Sequence, residues 1–431
     1  MKVSRQNTKS SAAAEMGSHP SGVPLKKCRL NGDSRLVSVL KLGDSAFTGI
    51  FPPQPTDVVP SGPLELVWSE TGKLLQLGHS FDPALLYGEN YGYRSGLNAS
   101  MVAHLQAKVT ELERWAGLTA GDWVLDIGSN DATTLKSYST PGIHRVGIDP
   151  TGKKFQSHYP PEIRLAPELF SAEAYRKASG GHQARLVTSI AMFYDLEDPV
   201  GFARQVREIL APKGIWHLEQ SYMPSMLRLN SYDTICHEHL EYYSLGNIED
   251  IMQRADLRIL DVVMNSVNGG SFAVTVTPRE NRSLPGNPRL VEWLLGQEDR
   301  MGFSSGRPFV EFAERVERHR IDLTRLIQAL KAEGKKILGY GASTKGNVIL
   351  QHCGLGPADL PAIAEVNEDK FGRFTPGTGI PIVSEAEARA MEPDYFLLLP
   401  WHFKEGILRR EAEFRARGGR FIVPFPEIEI I

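Results

Sequence analysis

The chain has 431 residues, more than one hydrophobic core serves, so two or three domains are expected. Hydrophobic residues make up 41%, charged residues 23%, and the formal net charge is −3, which excludes a nucleic-acid-coating surface and an acidic tail. No apolar run approaches the roughly 20 residues of a membrane span, and Cys28, Cys236 and Cys353, odd in number and far apart, argue against a disulfide framework and for a reducing cytoplasm. Residues 1–24, rich in Ser, Ala, Gly and Lys without an apolar centre, read as a disordered tail that lacks a signal peptide's hydrophobic stretch. Over 25–86, short β-type runs at 36–40 and 64–68 alternate with Pro/Gly-rich turns, forming a small β-rich module. Tyr87, Tyr91 and Tyr93 then fall among Gly88, Gly92 and Gly96, which suits either plain turn packing or the lining of a ligand pocket. A helix over 98–115 follows, with Met101, Leu105, Val109, Leu112 and Trp115 on one face.

Residues 122–135 read as a buried strand, a glycine turn and a helix start, which brings backbone N–H groups and carboxylates to the carboxyl end of a parallel strand. Gly-x-Gly-x-x-Gly is absent. The single Gly128, flanked by Asp126 and Asp131, suits a ligand with no pyrophosphate to cradle. A second strand ends at Asp149, placed to accept hydrogen bonds from ribose hydroxyls. Strand-like runs at 186–193 and 214–219, with a helix over 199–210 between them, predict a mostly parallel, doubly wound sheet.

The stretch 233–244, Asp-Thr-Ile-Cys-His-Glu-His-Leu-Glu-Tyr-Tyr-Ser, packs two imidazoles, three carboxylates and two phenols into twelve residues. His237 and His239 would share a face on a strand and diverge on a helix. Zinc enzymes use His at i and i+4 or paired cysteines, so the cluster points to proton transfer before metal, the alternative being a turn whose histidines bond the backbone. Beyond it, 279–306 is Pro/Gly/Arg-rich, a crossing between domains, and a long helix carries Phe309, Phe312, Val316, Leu323, Ile327 and Leu330 before Gly334 ends it. Residues 335–347 repeat the strand, glycine loop and helix design with Lys345 in place of an acid, either an anion site or a bare turn with an exposed lysine. Strands at 362–366 and 395–399 complete a second, smaller α/β domain.

The turn at 125–131 resembles the first motif of class I S-adenosylmethionine-dependent methyltransferases, and 209–215 resembles the entry to a late strand of that fold. Together with 233–244 and Asn268-Gly269-Gly270-Ser271, the pattern is similar to sugar C-methyltransferases that act at C3 of nucleotide-linked 4-keto-deoxy sugars. The resemblance runs from about residue 25 to the C-terminus. It implies a β-rich N-terminal module (25–86), a class I Rossmann-like methyltransferase domain (87–280), a linker and long helix (281–333) and a Rossmann-like C-terminal domain (334–431) that helps hold the nucleotide sugar.

By this resemblance His239 is the base that removes a proton next to a ketone, and Glu238 orients its ring or stabilises the imidazolium. Tyr242, Tyr243 and His237 would donate to the enolate oxygen. Asp126, Gly128, Ser129 and Asn130 would surround the amino acid part of S-adenosylmethionine and Asp149 its ribose, with Tyr93 closing the pocket and Met192 beside it. Cys236, Asn268, Tyr340 and Lys345 would meet the substrate, Lys345 through a phosphate. The family's module normally binds zinc through two Cys-x-x-Cys pairs, but here Cys28, Asn31, Ser69 and Gly72 stand at those positions, so no metal is expected. Sugar-methylating members carry Tyr in place of Cys236 and His near Met192. The implied enzyme is cytoplasmic, a monomer or small homo-oligomer acting on a small molecule, with neither nucleic acid nor membrane as partner. The alternatives are an O- or N-methyltransferase of another metabolite and a non-catalytic S-adenosylmethionine-binding relative.

Overall fold

A computed structural model describes residues 22–87 and 93–431. The expected tail up to residue 21 and the glycine-rich segment 88–92, Tyr91 included, lie outside the described residues. In the N-terminal module β1 (Val23–Pro24) pairs with a later strand, β5 (His79–Ser80). Between them β2 (Leu36–Ala46), β3 (Ser61–Ser69) and β4 (Leu75–Leu77) form an antiparallel sheet. In β3 the inward positions Leu64, Leu66 and Trp68 follow the period of two that a half-buried strand requires.

The middle of the chain supplies β6 (Trp123–Ile127), β7 (His144–Ile148), β8 (Ile163–Ala166), β9 (Ala184–Ile190), β10 (Leu210–Ser221), β11 (Glu241–Tyr242), β12 (Leu257–Asn265) and β13 (Ser271–Pro278). All of these except β11 form a seven-stranded sheet in the order β12-β13-β10-β9-β6-β7-β8. The chain leaves β6 in one direction through β7 and β8, then returns to β9 on the other side. That places a topological switch point between β6 and β9. Every residue of β6 is buried, as befits a strand covered on both faces.

The sheet is mostly parallel as expected, with an antiparallel edge where β12 and β13, joined by the short turn Val267–Gly269, form a hairpin that pairs with β10. Two other expectations need correction. The strand expected over 186–193 stops at Ile190, where Ala191 turns to φ 55°. The crossing segment 279–306 also holds a helix, Pro288–Met301. A proline at its first turn and Gly302 in the left-handed region at its end make a strong helix frame that reads as linker by composition alone.

The short β11 lies between β10 and β12 in sequence but pairs with β4, so the insertion carrying the histidine cluster completes the module's sheet. The helix Arg307–Ala332 buries each apolar residue expected on its face. It leads to β14 (Ile337–Tyr340), β15 (Ile363–Glu365), β16 (Ile382–Ser384), β17 (Tyr395–Leu398), β18 (Arg420–Val423) and β19 (Glu429–Ile430), a second doubly wound sheet in the order β16-β15-β14-β17-β18-β19. One continuous apolar cluster runs from Leu66 and Trp68 through Ile235 and Phe309 to Ile363, joining the module, the insertion, the long helix and the C-terminal domain. The seven-stranded sheet has separate clusters.

Candidate active site

At the switch point between β6 and β9 lies a cavity of about 370 Å³, within the range of small-molecule sites and where open α/β sheets bind ligands. All seven residues expected to hold the methyl donor line it. Gly128 takes φ 75°, a left-handed conformation that favours glycine, and a Cβ there would press on Met192 Cγ at 3.1 Å. Asn130 clamps the preceding segment: its Oδ1 accepts from Ser95 N–H (3.0 Å) and its Nδ2 donates to the Tyr93 carbonyl (3.1 Å). Tyr93, half exposed, sits at the rim. Asp149 accepts from Asn130 N–H at 2.7 Å and from both Thr151 N–H and hydroxyl at 2.6 Å, which fixes a buried carboxylate at the end of β7. Asp126 accepts from the Thr188 hydroxyl at 2.6 Å, and burial pushes its pKa up to about 7. Ser129 shares a 2.8 Å hydrogen bond with the Tyr159 hydroxyl.

The cavity also holds a carboxylate that sequence reasoning missed. Glu219, near the end of β10, is 2% exposed and meets His104 and Lys108 of the helix Ala99–Ala116. Burial raises its pKa, yet these two partners hold it below the usual range. The only local signal was an acid at a strand's carboxyl end, as at Asp149; its partners lie more than a hundred residues earlier.

The His-Glu-His stretch forms a turn between the 3₁₀ segment Tyr232–Thr234 and β11, and its two rings diverge. His237 enters the module's core, its ring 4.5 Å from Phe47 and 4.7 Å from Phe81, with Nε2 donating to the Gly62 carbonyl at 3.1 Å. Buried in this way, it does not serve the enolate; it ties the insertion to the module. His239 Nδ1 lies 2.7 Å from the Thr234 carbonyl, an acceptor only, so Nδ1 carries the proton and Nε2 presents its lone pair. The Tyr194 ring meets it edge-on at 4.3 Å. Burial lowers the His239 pKa to about 4, and the Lys345 charge adds to the fall.

Glu238 is therefore not the group that orients the ring, since the Thr234 carbonyl already does so. Its Oε1 faces Gly49, where a Cβ would stand 3.1 Å away, beside the Thr344 methyl, and burial pushes its pKa up to about 7. Tyr242 and His239 line a small cavity of about 10 Å³, room for about one water, and the buried Tyr242 hydroxyl has no hydrogen-bond partner among the described residues. Tyr243 turns instead into the methyltransferase core, its ring 5.5 Å from Phe193, and leaves the set of enolate donors.

Cys236 is buried, and burial holds its thiol well above the usual range. Cys236, Glu238 and His239 each bring a donor atom within 4.8 Å of the others. A thiol held protonated is a poor ligand, and the Lys345 ammonium is felt by both Cys236 and His239, so the trio is better suited to protons than to a dication. Asn268 lines the donor cavity, and its carbonyl accepts from Lys345 Nζ at 2.9 Å.

The loop before Lys345 is not the open anion cradle expected of it. The Glu365 carboxylate takes Ala342 N–H at 2.8 Å and the Ser343 hydroxyl takes Gly346 N–H at 3.0 Å. Tyr340 likewise misses the site: its hydroxyl joins Glu385, Glu411 and Arg410 inside the C-terminal domain.

Three family models match in succession: a putative zinc binding domain over residues 28–87, a methyltransferase domain over 101–262 and a C-methyltransferase C-terminal domain over 266–426. The C-methyltransferase NovU of Streptomyces niveus is 33% identical over 411 residues, 95% of this chain and 97% of that protein. Among solved structures, a putative methyltransferase complexed with the Trm112 activator of Haloferax volcanii aligns with a TM-score of 0.33 at 14% identity, covering 42% of this chain and 95% of that one. Magnesium protoporphyrin IX methyltransferase from Synechocystis, with bound S-adenosylmethionine, aligns at 0.31 and 14%, covering 41% and 81%.

The zinc implied by the first model does not fit the residues present. Cys28, Asn31, Ser69 and Gly72 do converge, for a Cβ on Gly72 would stand 2.8 Å from Cys28 Sγ, 3.1 Å from Ser69 Oγ and 3.4 Å from Asn31 Cγ. One thiol, one hydroxyl, one amide and no fourth side chain cannot make the closed tetrahedral set of N and S ligands. Hydrogen bonds stand there instead, Gly72 N–H to Ser69 Oγ at 3.1 Å and Asp33 N–H to Asn31 Oδ1 at 3.1 Å. Matching family models over three consecutive segments, and identity to NovU along nearly the whole of both chains, make this chain a member of the C-methyltransferase family, an enzyme that takes its methyl group from S-adenosylmethionine.

Proposed function

We propose that the enzyme methylates a carbon next to a ketone, C3 of a nucleotide-linked 4-keto-6-deoxy sugar, with His239 as the base. The observation that carries this is the 2.7 Å contact between His239 Nδ1 and the Thr234 carbonyl, which fixes the tautomer and leaves Nε2 as the acceptor. Nε2 takes the α proton, and the C–H electron pair passes through the carbon into the carbonyl, giving an enolate and an imidazolium. Glu238, on the same turn, balances the imidazolium charge when ionised. Bound in the cavity between β6 and β9, S-adenosylmethionine supplies a methyl group already activated on a sulfonium, so the protein contributes chiefly alignment. Asp149 would hold the ribose hydroxyls, and Gly128 and Asn130 the amino acid portion.

The test is methyl transfer from labelled S-adenosylmethionine to a panel of nucleotide-linked 4-keto sugars, with the product carbon located by NMR. A new C–CH₃ bond at the α carbon, with deuterium entering that carbon from D₂O, is the expected result. A product methylated on oxygen or nitrogen, with no α exchange, would overturn the proposal.

A further inference from the structure

Lys345 stands at the second position of the helix Thr344–Cys353, yet it reaches out of its own domain. Among the described residues its ammonium has one hydrogen bond, to the Asn268 carbonyl, and no ion pair. An ammonium has three N–H groups to satisfy, and leaving two of them unmet in a desolvated place is costly. Its titratable surroundings are Asp233 and Cys236 of the insertion, His239 next to them, and His402 of its own domain. The Asp233 carboxylate is itself half satisfied. Oδ2 accepts from the Trp401 indole at 2.9 Å, while Oδ1 is buried with no hydrogen bond among the described residues.

Two neighbours locate this cation relative to the chemistry. Asn268 lines the donor cavity, and His239 presents the base. A carbon that loses its proton to His239 and gains a methyl group from the donor cavity lies between them, and its carbonyl oxygen is one bond further on. We propose that Lys345 is a catalytic residue of the methyl transfer, donating from its two unfilled N–H groups to the oxygen on which the enolate charge develops. This rests on the substrate proposed above and assigns the charge to the reacting carbonyl, not to a phosphate. Two of the loop N–H groups that would share a phosphate, those of Ala342 and Gly346, are already bonded to Glu365 and Ser343.

The energetics require such a partner. An imidazole whose conjugate acid ionises near pH 4 is a weak base for the proton of a ketone, so the product enolate must be held more tightly than water would hold it. A cation already in place, held by Asn268 and by the field of Asp233, needs no reorganisation when the charge appears.

The test uses the full-length enzyme with S-adenosylhomocysteine and a keto sugar in D₂O, where α-proton exchange reports enolate formation without methyl transfer. Lys345→Met should slow both exchange and methylation by about 10²–10³-fold, the usual loss of one oxyanion donor. KM should move far less than kcat, and Lys345→Arg should restore part of the rate. A Lys345→Met enzyme that raises KM while keeping kcat would return Lys345 to phosphate binding and overturn the proposal. If that variant has no melting transition, the comparison passes to Lys345→Arg and Lys345→Gln, and equal exchange rates in that pair would overturn it. A wild-type enzyme that exchanges and methylates no keto sugar would overturn the substrate itself, a result distinct from an exchanging wild type whose lysine variants match it.

Discussion

The Glu238 carboxyl and the His239 imidazole end up with their usual order of acidity reversed. Burial lowers His239 to about 4 and raises Glu238 to about 7, so near neutral pH the imidazole is fully neutral while the carboxyl is poised between its forms. His239→Asn is expected to keep donor and substrate bound yet lower kcat by about 10²–10⁴-fold, the worth of a general base, as measured by single-turnover methyl transfer. An active His239→Asn beside an inactive Tyr242→Phe would hand the proton to the phenol. The pH dependence separates the neighbours. His239 contributes no change between pH 6 and 9, whereas Glu238, protonated below about 7, leaves the forming imidazolium without its counter-charge. Accordingly kcat/KM should rise with pH through about 7, and Glu238→Gln should flatten that limb. A limb that survives the substitution would belong to another group.

At the scale of elements, the glycine turn after β6 carries the donor site through backbone shape. Gly128→Ala would place a left-handed residue where L side chains cost about 1–2 kcal/mol, with its methyl pressed against Met192. We expect the variant to fold with reduced stability and to show a smaller thermal shift with S-adenosylmethionine than the roughly 2.7 kcal/mol available at 100 times the dissociation constant. A full shift would mean that the turn can relax. This element was legible in sequence because its signals are local: a strand apolar but for Asp126, one glycine, and a second acid, Asp131, just beyond it. The long helix was legible for the same reason, its apolar residues recurring at three, four or seven. The fates of His237, Tyr243 and Tyr340 were not, since they depend on partners such as Gly62, Phe193 and Glu411, between 50 and 175 residues away. The direction of Lys345 was hidden in the same way. Its loop reads as an anion site until the fold brings Glu365 onto the loop N–H groups and Asn268 onto the ammonium.

At the scale of the molecule, the sequence-level division into a β-rich module and a C-terminal α/β domain conceals how closely the two are joined. Asn347 Nδ2 donates to the Thr48 carbonyl at 2.8 Å, and Gln351 accepts from Ala46 N–H at 2.7 Å while donating to its carbonyl at 3.2 Å. Beneath these bonds runs the one apolar cluster that spans module, insertion, long helix and C-terminal domain. A module fastened in this way has no need of a metal to hold its two loops, and its loops carry only Cys28 as a thiol. Two consequences can be measured together. Elemental analysis should return well under one zinc per chain, and in calorimetry a chelator should leave the melting profile unchanged, with module and C-terminal domain unfolding in one transition. Gln351→Ala should move that whole transition down, by roughly 1–3 kcal/mol for the buried backbone groups of Ala46 left unpaired. An early transition that shifts with chelator while the rest stays put would mean that the module is an independent metal-held unit after all, and that His79 or other donors complete a site that Cys28 cannot make alone.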